Sequence, residues 1–254
     1  MPILKLSDIS MEFGGLRALD SVDLSIEEHQ IYGIIGPNGA GKTTIFNIIT
    51  GIYKPVKGNL FFKDINLKNY PPYKIARMGI GRTFQNIRLF QKLSVIDNLR
   101  VSAHGISKVN IIANMLGFPN SRREEKQIML KSGQLLEMLG LYEKGMELAD
   151  SLSYGEQRRL EIARALALEP ALLLLDEPAA GMNASEKIEL IDTIKSIRDN
   201  MNLTILLVEH DMSLVMNICE SIAVLDYGRK IADGDPASIR NDEKVISSYL
   251  GMGA

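Results

Sequence analysis

One cysteine and three histidines are present in 254 residues, and each scarcity closes a class of function. Cys219 has no partner for an internal disulfide. His29, His104 and His210 are scattered without metal-ligand spacing, so a zinc site is not expected and the chain suits a reducing compartment. Net charge is small as well, 29 Lys and Arg against 31 Asp and Glu, so no long-range field draws the chain to nucleic acid. No run free of charged residues exceeds 13 positions, short of the roughly 18 to 20 a membrane span needs. The start of the chain meets a charge at Lys5 and has no apolar core of signal-peptide length, so a cytoplasmic location is expected. Gly and Pro together make 30 positions, an ordinary share, which excludes collagen-like and low-complexity readings. With 46% apolar residues the chain can bury a sizeable core of one or two structural units.

The first 30 residues alternate apolar and polar, as in Ile3-Leu4-Lys5-Leu6 and Val22-Asp23-Leu24-Ser25-Ile26, which predicts a small antiparallel sheet. Ile31-Tyr32-Gly33-Ile34-Ile35 is continuously apolar and too short for a helix, the pattern of a strand buried on both faces. Helical patterns follow over Thr43–Ile52 and Ser185–Asp199, and strand-like runs over Leu60–Phe62, Leu172–Leu175 and Thr204–Val208. Parallel strands with crossover helices are expected, an α/β core. Asp226-Tyr227-Gly228 between Ser221–Leu225 and Arg229–Ala232 signals a hairpin, and a last helix is expected over about Ala237–Tyr249. About Ile96–Ala149 carries no strand after Val101 and has apolar residues at helical spacing over Arg122–Leu139, which reads as an inserted helical subdomain.

Gly36-Pro37-Asn38-Gly39-Ala40-Gly41-Lys42-Thr43 fits the full G-x-x-x-x-G-K-[ST] pattern, with a strand before it and a helix after it. Glycines allow successive backbone N–H groups to face phosphates, Lys42 reaches the β/γ oxygens, and Thr43 offers a hydroxyl to Mg²⁺. Asp176-Glu177 ends the four-leucine strand at the carboxyl edge of the sheet, the usual ligand side. Asp176 is placed as a Mg²⁺ partner and Glu177 as the general base for a water. These two motifs alone fit a kinase, a GTPase or a helicase equally. Leu152-Ser153-Tyr154-Gly155-Glu156-Gln157 then opens a helix with capping-box spacing between Ser153 and Glu156, and a helix tip of this kind can also meet a phosphate.

Leu152–Gln157, with Ser153 lying 23 residues before Asp176, resembles the signature motif of ABC-type ATPases. That resemblance implies a P-loop NTPase (RecA-like) α/β core with a small N-terminal antiparallel β subdomain and an inserted α-helical subdomain. Expected bounds are 1–95 for the β region and first core part, 96–155 for the helical signature subdomain, 156–236 for the second core part and 237–254 for a C-terminal helix. It implies ATP and Mg²⁺ as cofactors and two ATPase domains packed head to tail, Ser153, Gly155 and Gln157 of one meeting the nucleotide held by Gly36–Thr43 and Thr44 of the other. Gln85 is similar to the glutamine that touches Mg²⁺ or water, His210 to the switch histidine near the γ-phosphate, and Phe13 to the aromatic that stacks on adenine. Tyr154 stands where the commonest signature has glycine, and Asn183 stands where an aspartate is expected.

Finer wording narrows the resemblance. Arg82–Phe90, Arg158–Arg164, Glu177–Asn183, the ending Ser248-Tyr249-Leu250-Gly251 and a helical insert of about His104–Arg123 resemble the ATPase subunit of branched-chain amino acid importers. Partners implied are a second ATPase subunit, an identical copy or, as the resemblance favours, a distinct one, integral permeases on whose cytoplasmic face the chain sits, and indirectly an external solute-binding protein, with no nucleic acid. Urea and amide importer ATPases and the lipopolysaccharide-export ATPase share much of this wording, and a soluble ABC ATPase without a membrane partner, of the iron–sulfur scaffold assembly kind, is an alternative of about this length.

Overall fold

A computed structural model describes residues 2–106 and 119–250. In chain order the elements are β1 (Pro2–Phe13), β2 (Leu16–Glu27), β3 (Ile31–Ile35), α1 (Lys42–Ile49), β4 (Lys57–Phe62), β5 (Ile65–Asn66), α2 (Pro72–Arg77), β6 (Ile80–Arg82) and α3 (Val95–His104). There follow α4 (Pro119–Met138), α5 (Tyr154–Leu166), β7 (Leu172–Asp176), α6 (Ala184–Met201), β8 (Thr204–Val208) and α7 (Met212–Ile218). The chain closes with β9 (Ser221–Asp226), β10 (Arg229–Gly234), α8 (Pro236–Arg240) and α9 (Glu243–Leu250).

Two compact units emerge, one of residues 1–85 and 171–254, the other of 86–170. The first holds two sheets. One is antiparallel in the order β2-β1-β4-β5; the other has six strands in the order β10-β9-β3-β8-β7-β6, parallel except for the hairpin strand β10. Alternation in β1 and β2 puts Leu4, Leu6, Val22, Leu24 and Ile26 into the same core as Ile34, Phe46, Leu174, Leu206 and Val208 of the central layer. The strands β3, β7 and β8 are buried at every position, which is why their sequences read as unbroken apolar runs. In the helical unit, Leu99, Leu136, Leu139, Leu160 and Leu166 are buried, on apolar positions at helical spacing.

Two expectations meet differences, and one strand was not expected. The helical unit spans 86–170, wider than 96–155, because the 155/156 bound falls inside the single helix α5. The expected last helix is two: Asn241 ends α8, and the Asp242 carboxylate accepts from the N–H groups of Lys244 and Val245, starting α9 afresh. Strand β6 is only three residues long and follows Gly79 at φ 105°, too brief to show a period. Most of the helical insert at 104–123 lies outside the described residues, as does Gly251. No described helix is long and apolar enough to cross a membrane.

Candidate functional site

Strand β3 delivers the chain into the glycine loop, and backbone crowding dictates its residues. Gly36 sits at φ 149°, where an added Cβ would lie 2.1 Å from the Leu225 carbonyl oxygen. Gly41, at φ 104°, starts α1 and would drive a Cβ to within 2.6 Å of Leu19 and 2.8 Å of the Ala18 carbonyl. The loop is thus pressed between β2 and the end of β9, and the Gly228 N–H donates to the Ala40 carbonyl at 3.1 Å. Lacking a side chain, Gly41 cannot cap α1, so the first turn presents its N–H groups. Pro37, Asn38 and Gly39 form the more open rim of the loop, and Thr43 is exposed on the first turn, with Thr44 half-buried beside it.

Lys42 is buried, and its ammonium donates to the carbonyls of Gly36 at 2.6 Å and Pro37 at 2.9 Å. Burial pushes its pKa down, against the upward pull of the Glu177 and Asp176 carboxylates. Asp176, at the end of β7, is paired with the Arg82 guanidinium at 2.9 Å, both side chains under a tenth exposed. Arg82 also donates to Asn47 Oδ1 at 2.7 Å on α1 and to Thr50 Oγ1 at 3.2 Å at its C-cap, with the rings of Phe46 and Phe84 5.5 Å and 5.2 Å away. The Asp176 N–H donates to Thr83 Oγ1 at 3.2 Å.

Glu177 turns out of the strand at φ 47°. Its Oε2 accepts from Gln85 Nε2 at 3.0 Å and lies 3.8 Å from His210 Nδ1. One residue before His210, Glu209 is 1% exposed, and burial raises its pKa against the opposing pull of backbone N–H groups, that of Ala179 foremost. The structure therefore gathers Gln85, Asp176, Glu177 and His210 onto the edge of the sheet from which the glycine loop also emerges. Phe13 ends β1, 40% exposed, held edge-on by Tyr53 at 5.1 Å between ring centroids.

Ser153, Gly155 and Gln157 belong to the helical unit. Ser153 and Glu156 form a complete capping box at the start of α5: the Ser153 N–H donates to Glu156 Oε2 at 2.9 Å and the Glu156 N–H to Ser153 Oγ at 3.5 Å. Lys144 pairs with Glu156 at 2.7 Å and, with the Ser153 groups, holds its carboxyl down at about 2. Gly155 is buried; the Gln157 amide donates to the Leu152 carbonyl at 2.9 Å. Tyr154 accepts from Arg158 at 3.0 Å, and Arg158 in turn pairs with the buried Glu161 at 3.2 Å.

Thr43, Gln85 and Asp176 supply a hydroxyl, an amide and one carboxylate, hard oxygen donors suited to a cation that arrives with phosphate oxygens and water. Among the described residues no cluster of three or more His, Cys, Asp or Glu side chains offers a self-contained metal cage. Sequence reasoning gave no role to Arg82 or Glu209. Both partner with residues far along the chain, 94 positions away for Arg82 and 30 for Glu209, and no local pattern marks such pairs.

A glycine cradle at an open helix end, a buried lysine, and adjacent carboxylates at a strand end define a P-loop nucleoside triphosphatase. The ABC transporter family model matches residues 19–180, and a branched-chain amino acid ATP-binding cassette transporter model matches 229–251. The chain is 46% identical over 250 residues to the high-affinity branched-chain amino acid transport ATP-binding protein LivG of Escherichia coli (strain K12), covering 98% of each. To the lipopolysaccharide export system ATP-binding protein LptB of the same organism it is 34% identical, covering 99% of this chain and 98% of that one. A solved ATP-binding cassette of an ABC transporter in its ADP conformation superposes with TM-score 0.86 at 30% identity, covering 99% of both chains. The chain belongs to the ABC transporter family, as one of its ATP-binding ATPases.

Proposed function

We propose that the chain hydrolyses ATP as the nucleotide-binding subunit of an importer of branched-chain or other hydrophobic amino acids. Greater similarity to the branched-chain amino acid relative than to the lipopolysaccharide-export one supports this reading, as does the matching C-terminal segment. In it the chain pairs head to tail with a second, distinct ATPase subunit and works on the cytoplasmic face of integral permeases fed by an external solute-binding protein.

Gly36–Thr43 and Thr44 hold the phosphates, with Phe13 stacking on the base. Lys42 exchanges its carbonyl partners for β/γ oxygens. Thr43, Asp176 and Gln85 would hold Mg²⁺, which would neutralise phosphate charge. Glu177 takes the proton of the attacking water, Gln85 and His210 orient that water and the γ-phosphate, and Ser153, Gly155 and Gln157 of the partner subunit close over it. Phosphoryl transfer asks mainly for positioning and charge stabilisation, and this constellation supplies both. For Ser153 the exchange is concrete, since its hydroxyl, which donates to Glu156 at 2.9 Å, turns to phosphate instead.

The observation that carries the reading is the Glu177 carboxylate, one residue past buried Asp176, accepting from Gln85 and facing His210. Glu177→Gln is expected to keep ATP binding, measured by a fluorescent nucleotide, and to lose turnover by roughly 10² to 10⁴ fold. Equal turnover in variant and parent would overturn the assignment. Turnover at full rate by an isolated monomer unable to pair would overturn the head-to-tail arrangement.

A further inference from the structure

Strands β7 and β8 run side by side and end together, and the segments leaving them carry Glu177 and His210. The last ladder bond between them is the Glu177 N–H donating to the Val208 carbonyl at 2.9 Å. Pro178 follows and has no N–H to give, so backbone pairing stops there. Beyond that point a side chain takes over. Glu209 Oε1 accepts from the Ala179 N–H at 2.8 Å and Oε2 from the His210 N–H at 3.1 Å. The Glu209 N–H itself points to the Ile34 carbonyl at 3.4 Å, on the strand that leads into the glycine loop. One carboxylate, 1% exposed, therefore joins the ends of both segments.

We infer that Glu209 is a positioning residue for hydrolysis: it holds the loop after Glu177 and the backbone of His210 in one register, setting the 3.8 Å approach of His210 Nδ1 to Glu177 Oε2. The inference rests on the reading of Glu177 as the group that activates water. Glu177 turns at φ 47°, a conformation a side-chain-bearing residue keeps only where its surroundings enforce it, and the Ala179 bond lies two residues on. A carboxylate suits the task because both of its oxygens accept. An amide of the same size has one accepting oxygen and a donor group that would face an N–H.

The test is steady-state ATP turnover of the full chain carrying Glu209→Gln, with Glu209→Asp beside it; aspartate keeps the charge but is one methylene too short to serve both N–H groups. The Asp variant carries the test should the Gln variant not fold. Turnover is expected to fall about 10- to 100-fold with the KM for ATP little changed, as for a misplacement of reacting groups by a fraction of an ångström to one. If Glu209 acts through His210, Glu209→Gln combined with His210→Ala is no slower than His210→Ala alone. Full turnover in the folded Glu209 variants, or losses that multiply in the double variant, would overturn the inference. Glu177→Gln measured alongside separates the two ideas: full turnover there removes the underlying reading, whereas an inactive Glu177→Gln with a fully active Glu209→Gln removes only the positioning role.

Discussion

Helix α1 begins at Gly41, which has no side chain to offer its first turn, whereas α5 begins at Ser153, whose hydroxyl and backbone are closed in a reciprocal box with Glu156. Both ends carry the positive pole of a helix, and both are proposed to meet phosphate. They prepare for it differently. Around α1 the charges are buried: Lys42 donates to two loop carbonyls, and Arg82, which also reaches Asn47 and Thr50, pairs with Asp176, 94 positions away. Around α5 the pairing is local, three residues apart for Ser153 and Glu156, and Ser153 is exposed. Charges at the first end are costly to disturb because they are buried. The second end is a capped tip whose proposed exchange of partners would cost little more than a cap.

Arg82→Met should break the first arrangement most. It leaves the Asp176 carboxylate buried without its cation, and loss of one partner of a buried pair costs about 3 to 5 kcal/mol. Chemical denaturation should show that loss together with a fall in turnover. A variant as stable as the parent would mean that Asp176 finds another partner.

Ser153→Ala should separate what Arg82→Met joins. Removal of an N-cap hydroxyl costs about 1 kcal/mol of stability, yet turnover should drop well beyond what that loss of folded protein explains. Denaturation midpoints and ATP turnover of the same preparations give the contrast. Parallel small losses in both would erase the difference between the two helix ends.

The smallest effect sharpens the local side. Glu156 titrates at about 2 in the folded chain against an ordinary 4.5, with Lys144 the first cause. The folded value is the depressed one, so the stabilisation is fully present above 4.5 and disappears as pH falls through about 2. Lys144→Met should carry the Glu156 titration, followed by NMR of its carboxyl carbon, back toward 4.5. An unmoved titration would assign the shift to the Ser153 bonds alone.

Much of the site was legible in the chain itself because its parts are contiguous. Gly36–Thr43 is one run of eight residues, Asp176-Glu177 closes one strand, and Ser153-x-x-Glu156 is one turn of helix; each is read by local rules of turn, strand end and cap. The Asp226–Gly228 hairpin was readable for the same reason: Tyr227 and Gly228 take φ 43° and 79°, the left-handed pair such a turn needs. Arg82 and Glu209 were not readable. Arg82 stands beside Thr83, Phe84 and Gln85 as an ordinary basic residue, and Glu209 before His210 as an ordinary acid, until the sheet order brings Asp176 and Ala179 to them. The break at Asn241-Asp242 was hidden because no glycine or proline interrupts Ala237–Tyr249.

From its residues alone this chain determined the chemistry of its loops: a glycine-built phosphate cradle, a strand ending in two carboxylates, a capped helix tip, and an α/β core around them. These follow from steric freedom, burial and hydrogen-bonding capacity over a few neighbouring positions. Only the tertiary structure decided which carboxylate would be locked to a guanidinium and which left to face Gln85 and His210. That choice depends on which strands lie side by side, and pairing across a sheet is set by the packing of the whole core rather than by any local spacing.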